Sequence, residues 1–138
     1  DEQKAFEFIK LSSEQNYTNA IAVLGNCYLK GQGVAQNSEE AVKHLTKAAK
    51  MGNAYGQSLL GRCYMQGDGV EIDEEEGFKW YKKAAEQGDD WAQCEVGRCY
   101  EEGIGTETDI KEAIRWYTKA AAGGDDEAKE ALARLNAK

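Results

Sequence analysis

The chain has 138 residues, 41% hydrophobic, 30% charged and 9% aromatic, with 25 Asp+Glu against 17 Lys+Arg for a net charge of -8. That composition excludes a disordered segment and is enough to bury one domain's core, while the acidic balance argues against nucleic acid and anionic lipid surfaces as partners. No apolar run approaches the ~18 residues of a membrane span and no signal-peptide pattern opens the sequence, so no membrane insertion is expected.

Proline is absent and there are 15 glycines, a usage that suggests many helices ended by Gly rather than Pro. In chain order, residues 2–13 read as a helix carrying Ala5, Phe6 and Ile9 on one face. A second helical segment carries Ala20, Leu24, Cys27 and Tyr28 and runs into LGNCYLKGQGV from Leu24; a third carries Ala41, Val42, Leu45 and Ala48. The same two segments then return at a period of 36 residues. LGRCYMQGDGV starts at Leu60 and VGRCYEEGIGT at Val96, while Gly77/Phe78/Tyr81/Ala84 and Ala113/Ile114/Tyr117/Ala120 repeat the other face. Spacings of i, i+1, i+4 and i+7 mark one side of a helix, so each unit reads as helix A, a glycine turn, helix B and a second glycine turn.

The punctuation agrees. Asn37, Asp73 and Asp109 precede the B helices, each with a Glu three residues on (Glu40, Glu76, Glu112), as in a capping box. Gly52, Gly88 and Gly124 follow the B helices, where a left-handed residue is wanted, and Asn53, Asp89 and Asp125 are placed to cap the next A helix. Ala128, Leu132 and Leu135 continue the helix A register into a polar terminal cap. The expected organisation is one repeat domain over 1–138: helix B of a preceding repeat over 1–15, repeats over 16–51, 52–87 and 88–123, and a half repeat over 124–138. The start inside a repeat is what a segment of a longer array would show. Neither helix of a unit can bury its stripe alone, so the predicted fold is all-α, a right-handed α-α superhelical solenoid of stacked antiparallel pairs.

The run LGxCYxxGxGV, then N/D-x-x-E-A, then W-Y-x-K-A-A-x-x-G resembles the Sel1-like repeat, a relative of the tetratricopeptide repeat with a longer inter-helix loop. The match is best over Leu60–Gly88 and Val96–Gly123. The chain departs from the family in having Ala35, Glu71 and Glu107 where proline is common, and Cys27, Cys63 and Cys99 where a larger apolar residue is usual. The resemblance implies an adaptor or scaffold in multi-protein assemblies, tied to signalling or host interaction in bacteria and to quality control in the endoplasmic reticulum in eukaryotes.

Chemistry other than binding finds little support. Cys27, Cys63 and Cys99 fall on neighbouring A helices ~8–10 Å apart, beyond the ~7 Å Cα separation that a disulfide spans. Cys94 and Cys99 point roughly 140° apart on one helix. No intramolecular disulfide is therefore expected, and the cysteines read as small buried hydrophobes, with a lean toward a reducing compartment. The single histidine, His44, shares a register with Trp80 and Trp116 and reads as packing; no metal or cofactor site is expected. The Gly-x-Gly pairs follow helices rather than strands and read as turns, not phosphate cradles. The acidic run Glu71–Glu76 reads as a solvated cap. With no nucleophile–base set, no enzyme is expected.

A solenoid binds along the concave face that its A helices line. If tetratricopeptide geometry carries over, that face presents Tyr55 and Trp91, preceded in register by Asn19, together with Ser58 and Cys94. It also presents Asn26, Arg62 and Arg98, and then Leu29/Lys30, Met65/Gln66 and Glu101/Glu102. Tyr55 and Trp91 lie off the buried stripes and are the expected anchors, since aromatics dominate interface energetics. Arg62 and Arg98 suit a carboxylate, including a peptide C-terminus, whereas Glu101 and Glu102 favour a basic segment. The expected partner is a protein or peptide. The alternatives are a small-ligand or cell-wall-fragment binder in an exported bacterial protein, and a structural spacer in a longer array.

Overall fold

A computed structural model describes residues 2–7 and 17–137. Helices α1 (residues 2–7 within the described part), α2 (Thr18–Lys30), α3 (Ser38–Lys50), α4 (Ala54–Gln66), α5 (Glu74–Glu86), α6 (Asp90–Glu102), α7 (Ile110–Ala122) and α8 (Asp126–Asn136) follow one another, with no strand among the described residues. The even-numbered helices are the A helices and the odd-numbered ones the B helices. From α2 to α8 each packs chiefly on its chain neighbours, the arrangement of a helical solenoid, and α2 also packs directly on α4. The expected helix over 2–13 is helical over 2–7; its remainder, including Ile9, lies outside the described residues.

The helix boundaries come from side-chain caps and glycine. Asn37, Asp73 and Asp109 accept from the backbone N–H of Glu40, Glu76 and Glu112, and Asn53, Asp89 and Asp125 cap α4, α6 and α8 in the same way. The capping box is only half present. The cap residues' own N–H groups donate to the carbonyls of Tyr28, Tyr64 and Tyr100 at the ends of the A helices. The three Glu side chains are thereby released and turn to Lys43, Lys79 and Arg115 one turn on. Among α2–α8 only α2 lacks a side-chain cap, because Tyr17 stands where the later repeats have Asn or Asp.

The A–B turns bind one repeat to the next. Gly69 and Gly105 have φ of +72° and +70°, and a Cβ on either would overlap the carbonyl oxygen of Ser38 or Glu74 at the start of the preceding B helix. Within a repeat the helices approach through a helix A glycine: a Cβ on Gly61 would stand 2.9 Å from the Tyr81 ring, and one on Gly97 would stand 2.8 Å from that of Tyr117. The core includes Leu24, Leu45, Leu60, Val96 and Trp116, all nearly or fully buried. Cys27, Cys63, Cys94 and Cys99 are free and buried within it, and burial pushes the Cys63 thiol up to about 11 and that of Cys99 to about 12. His44 is half-buried and stacked on Tyr28, with centroids 5.5 Å apart.

Two buried glutamines join successive repeats. Gln57 Nε2 donates to the Ala49 carbonyl at 3.1 Å, and its Oε1 accepts from Gln87 Nε2 at 2.8 Å. One period later Gln93 Nε2 donates to the Ala85 carbonyl at 3.2 Å, but its buried Oε1 has no hydrogen-bond partner among the described residues. The register of Gln87 holds Gly123 here, and the Asp90 carboxylate fills the space that a side chain at 123 would take, where repeat 2 has Ala54. Restoring the repeat 2 arrangement with Asp90→Ala/Gly123→Gln is expected to raise stability in urea unfolding by about 1 kcal/mol, the net value of satisfying a buried acceptor. Gly123→Gln alone, still opposed by Asp90, is expected to give no gain.

Candidate functional site

Because the B helices stack on the outside, the A helices present three depressions in sequence. The first, about 290 Å3, lies between α2 and α4 and is lined by Asn26, Leu29, Lys30, Arg62 and Gln66. The second, about 540 Å3, lies between α4 and α6 and includes Arg62, Met65, Gln66, Tyr81, Trp91 and Arg98. The third, about 650 Å3, lies between α6 and α8 and includes Cys94, Arg98, Glu101, Glu102, Glu127 and Arg134. Arg62 is shared by the first two and Arg98 by the last two, so they form one groove that widens toward the C-terminal end. The close α2–α4 contact accounts for its narrow end.

Trp91 sits at the middle of this groove. It is 39% exposed, and its ring meets that of Tyr81 edge-on, with centroids 5.4 Å apart. That contact holds the indole in place while leaving a face open. Tyr55, one repeat earlier, is 41% exposed; burial raises its hydroxyl pKa, with the Cys27 thiol a second contribution. It lines neither of the first two depressions.

Several expected groove residues are otherwise occupied. Ser58 is buried, its Oγ donating to the Tyr55 carbonyl, and Cys94 is buried against Ala113, Tyr117, Ala128 and Ala131. Cys94 thereby packs on the next A helix, α8, and its register is held by the small residues Ala22 and Ser58 in the earlier repeats. Cys94 reaches the groove floor by a sliver, and burial raises its thiol to about 12, so it offers no reactive group. Leu29 and Met65 are half-buried, packed against the core. Arg98 is not a free anchor: its Nη2 lies 2.6 Å from Glu95 Oε2. Nor is Glu101 free for a basic segment, because it accepts from the Tyr117 hydroxyl at 2.8 Å and from both terminal nitrogens of Arg134. Among the described residues Arg62 is bonded to Gln66 Oε1 at 3.3 Å and is the guanidinium with no carboxylate partner.

Glu95 was not foreseen from the sequence. It is buried beneath the groove at a position filled by Val23, Leu59 and Ala131 in the other repeats, and desolvation holds its pKa above the usual carboxylate value despite the Arg98 pairing. A carboxylate in an otherwise apolar register is the signal that marks it. Among the described residues no group of three or more His, Cys, Asp or Glu side chains is gathered to hold a metal ion, and no helix is long and apolar enough to cross a membrane.

Comparison with known proteins gives the same architecture. The Sel1 repeat model matches residues 1–17, 18–53, 54–89 and 92–125. A protective antigen present in uropathogenic Escherichia coli strains, with an SLR fold, is 41% identical over 93% of this chain and 27% of its own, with a TM-score of 0.89. A Sel1 repeat protein from Oxalobacter formigenes is 32% identical over 97% of this chain and 55% of its own, with a TM-score of 0.90. DAP3-binding cell death enhancer 1 of Rattus norvegicus is 44% identical over 57 residues, 41% of this chain. The chain spans about a tenth of the length of the curated relatives it matches, 11% for the rat protein.

Proposed function

Because the chain belongs to the Sel1 repeat family, we propose that it is a non-catalytic interaction scaffold that seats a partner protein or peptide in the groove of its A helices. The observation that carries this reading is Trp91, a large aromatic held edge-on by Tyr81 yet open to solvent, lining the middle of a continuous groove. Solvent-open, pre-positioned aromatics have a large contact area to offer and little side-chain entropy to lose, the properties of residues that dominate binding. Two lines of support come from relatives. Sel1 repeats commonly serve protein–protein interaction, and the rat protein that matches over 57 residues is named for binding another protein.

The test is capture from a lysate of the source organism on immobilised wild type, Tyr55→Ala/Trp91→Ala and the convex control Lys79→Ala, with circular dichroism confirming the fold of each. The expected result is a partner retained by wild type and control and weakened about tenfold or more by the double substitution, with Trp91→Ala alone accounting for most of the loss. A folded double variant that keeps every partner contradicts the reading. An unfolded one reassigns the two aromatics to packing between repeats.

A further inference from the structure

The groove is graded in charge along its length. Lining its narrow end are Lys30 and Arg62 against the single carboxylate of Asp68. The middle has Arg62 and Arg98 against Glu74, Glu95 and Glu127, and the wide end has two guanidiniums against five glutamates. Four registers change in the same sense from one repeat to the next. Lys30 becomes Gln66 and then Glu102; Leu29 and Met65 give way to Glu101; Asn19, Tyr55 and Trp91 to Glu127; and Ala22, Ser58 and Cys94 to Glu130. At the wide end both guanidiniums are already spoken for, Arg98 by Glu95 and Arg134 by Glu101. Glu102, Glu127 and Glu130 are exposed there and make no ion pair among the described residues.

Resting on the groove reading above, we propose that the partner is a polypeptide segment bearing Lys or Arg, seated with those side chains between α6 and α8 and its aromatic or aliphatic residues at Trp91. The complementarity is between groove and ligand, not between the protein's overall charge and any cation, because the excess of carboxylates grows along the groove from its narrow end to its wide end. Carboxylates with little burial act mainly through long-range attraction, so binding is expected to weaken as salt is raised.

A fluorescein-labelled peptide containing Lys and Trp, and its counterpart with Glu for every Lys, are titrated by fluorescence anisotropy. The proteins are wild type, Glu102→Lys/Glu127→Lys, the convex control Glu75→Lys/Glu86→Lys, which alters net charge equally, and Tyr55→Ala/Trp91→Ala. The basic probe is expected to bind wild type and the convex control alike and to weaken about tenfold on Glu102→Lys/Glu127→Lys. The acidic probe is expected to bind only that charge-reversed variant. Equal weakening by both charge reversals, or no binding of the basic probe to wild type, overturns the charge assignment. If the basic probe depends on Tyr55 and Trp91 but not on Glu102 and Glu127, the groove reading stands and the charge proposal falls. If it depends on neither pair, both fall.

Discussion

Gly105→Ala is expected to destabilise the domain by about 2–5 kcal/mol in urea unfolding, whereas Gly88→Ala costs about 1 kcal/mol. Both glycines have positive φ, +70° and +99°, so both substitutions incur the left-handed penalty of roughly 1–2 kcal/mol. At Gly88 nothing lies within 4 Å of the added carbon. There the lower entropy of the unfolded alanine chain offsets part of the cost, by about 0.4–1 kcal/mol. At Gly105 the added carbon overlaps the Glu74 carbonyl oxygen and stands 2.9 Å from Phe78 Cβ, so the A–B turn must lift off the preceding repeat. The contact is with backbone, which cannot turn aside as a flexible side chain can. Equal effects from the two substitutions would show that this turn does not bind one repeat to the next.

Trp116→Ala is expected to cost about 3–5 kcal/mol, and Trp80→Ala, at the same register one repeat earlier, about 1 kcal/mol. Trp116 is 2% exposed and packs with Phe78, Tyr81, Val96 and Cys99. Arg115 and Lys119 lie over its ring at 5.2 and 4.6 Å from the centroid, closing it from solvent. Trp80 is only partly buried, lies at the edge of the Leu60 cluster and is crossed by Lys83 at 4.8 Å. Truncating it leaves a dent that solvent fills rather than a closed cavity. Comparison of the two variants' midpoints against wild type measures the difference directly.

The pair also shows what the sequence did and did not disclose. Period, helix order, caps and glycine turns were legible because each is fixed by a local rule repeated at 36 residues: Asn37, Asp73 and Asp109 cap, and Gly52, Gly88 and Gly124 adopt positive φ. Burial depth at one register was not, since it depends on what the neighbouring repeat supplies. Trp80 and Trp116 share a position and differ in environment, as do Gln57 and Gln93. In the groove, register groups Asn26, Lys30, Arg62, Gln66, Trp91 and Glu102, and these residues line the three depressions. It did not show that Ser58 lines none of the three depressions, nor that Cys94, at the edge of the third, is largely buried, although the series Ala22, Ser58, Cys94 is uniformly small. It also gave no sign that Arg98 and Glu101 are engaged by Glu95 and Arg134. Those pairings depend on a turn of one helix and on an approach between repeats, and spacing alone leaves both open.

The most direct test of the central claim is hydroxyl-radical footprinting of the domain with and without its captured partner, because Trp91 in the groove and Trp80 on the convex side report from opposite faces. Groove binding predicts that the partner slows oxidation of Trp91, and of Tyr55 beside it, while Trp80 oxidises at an unchanged rate. Protection of Trp80 with Trp91 and Tyr55 unaffected would place the partner on the B helices and contradict the account.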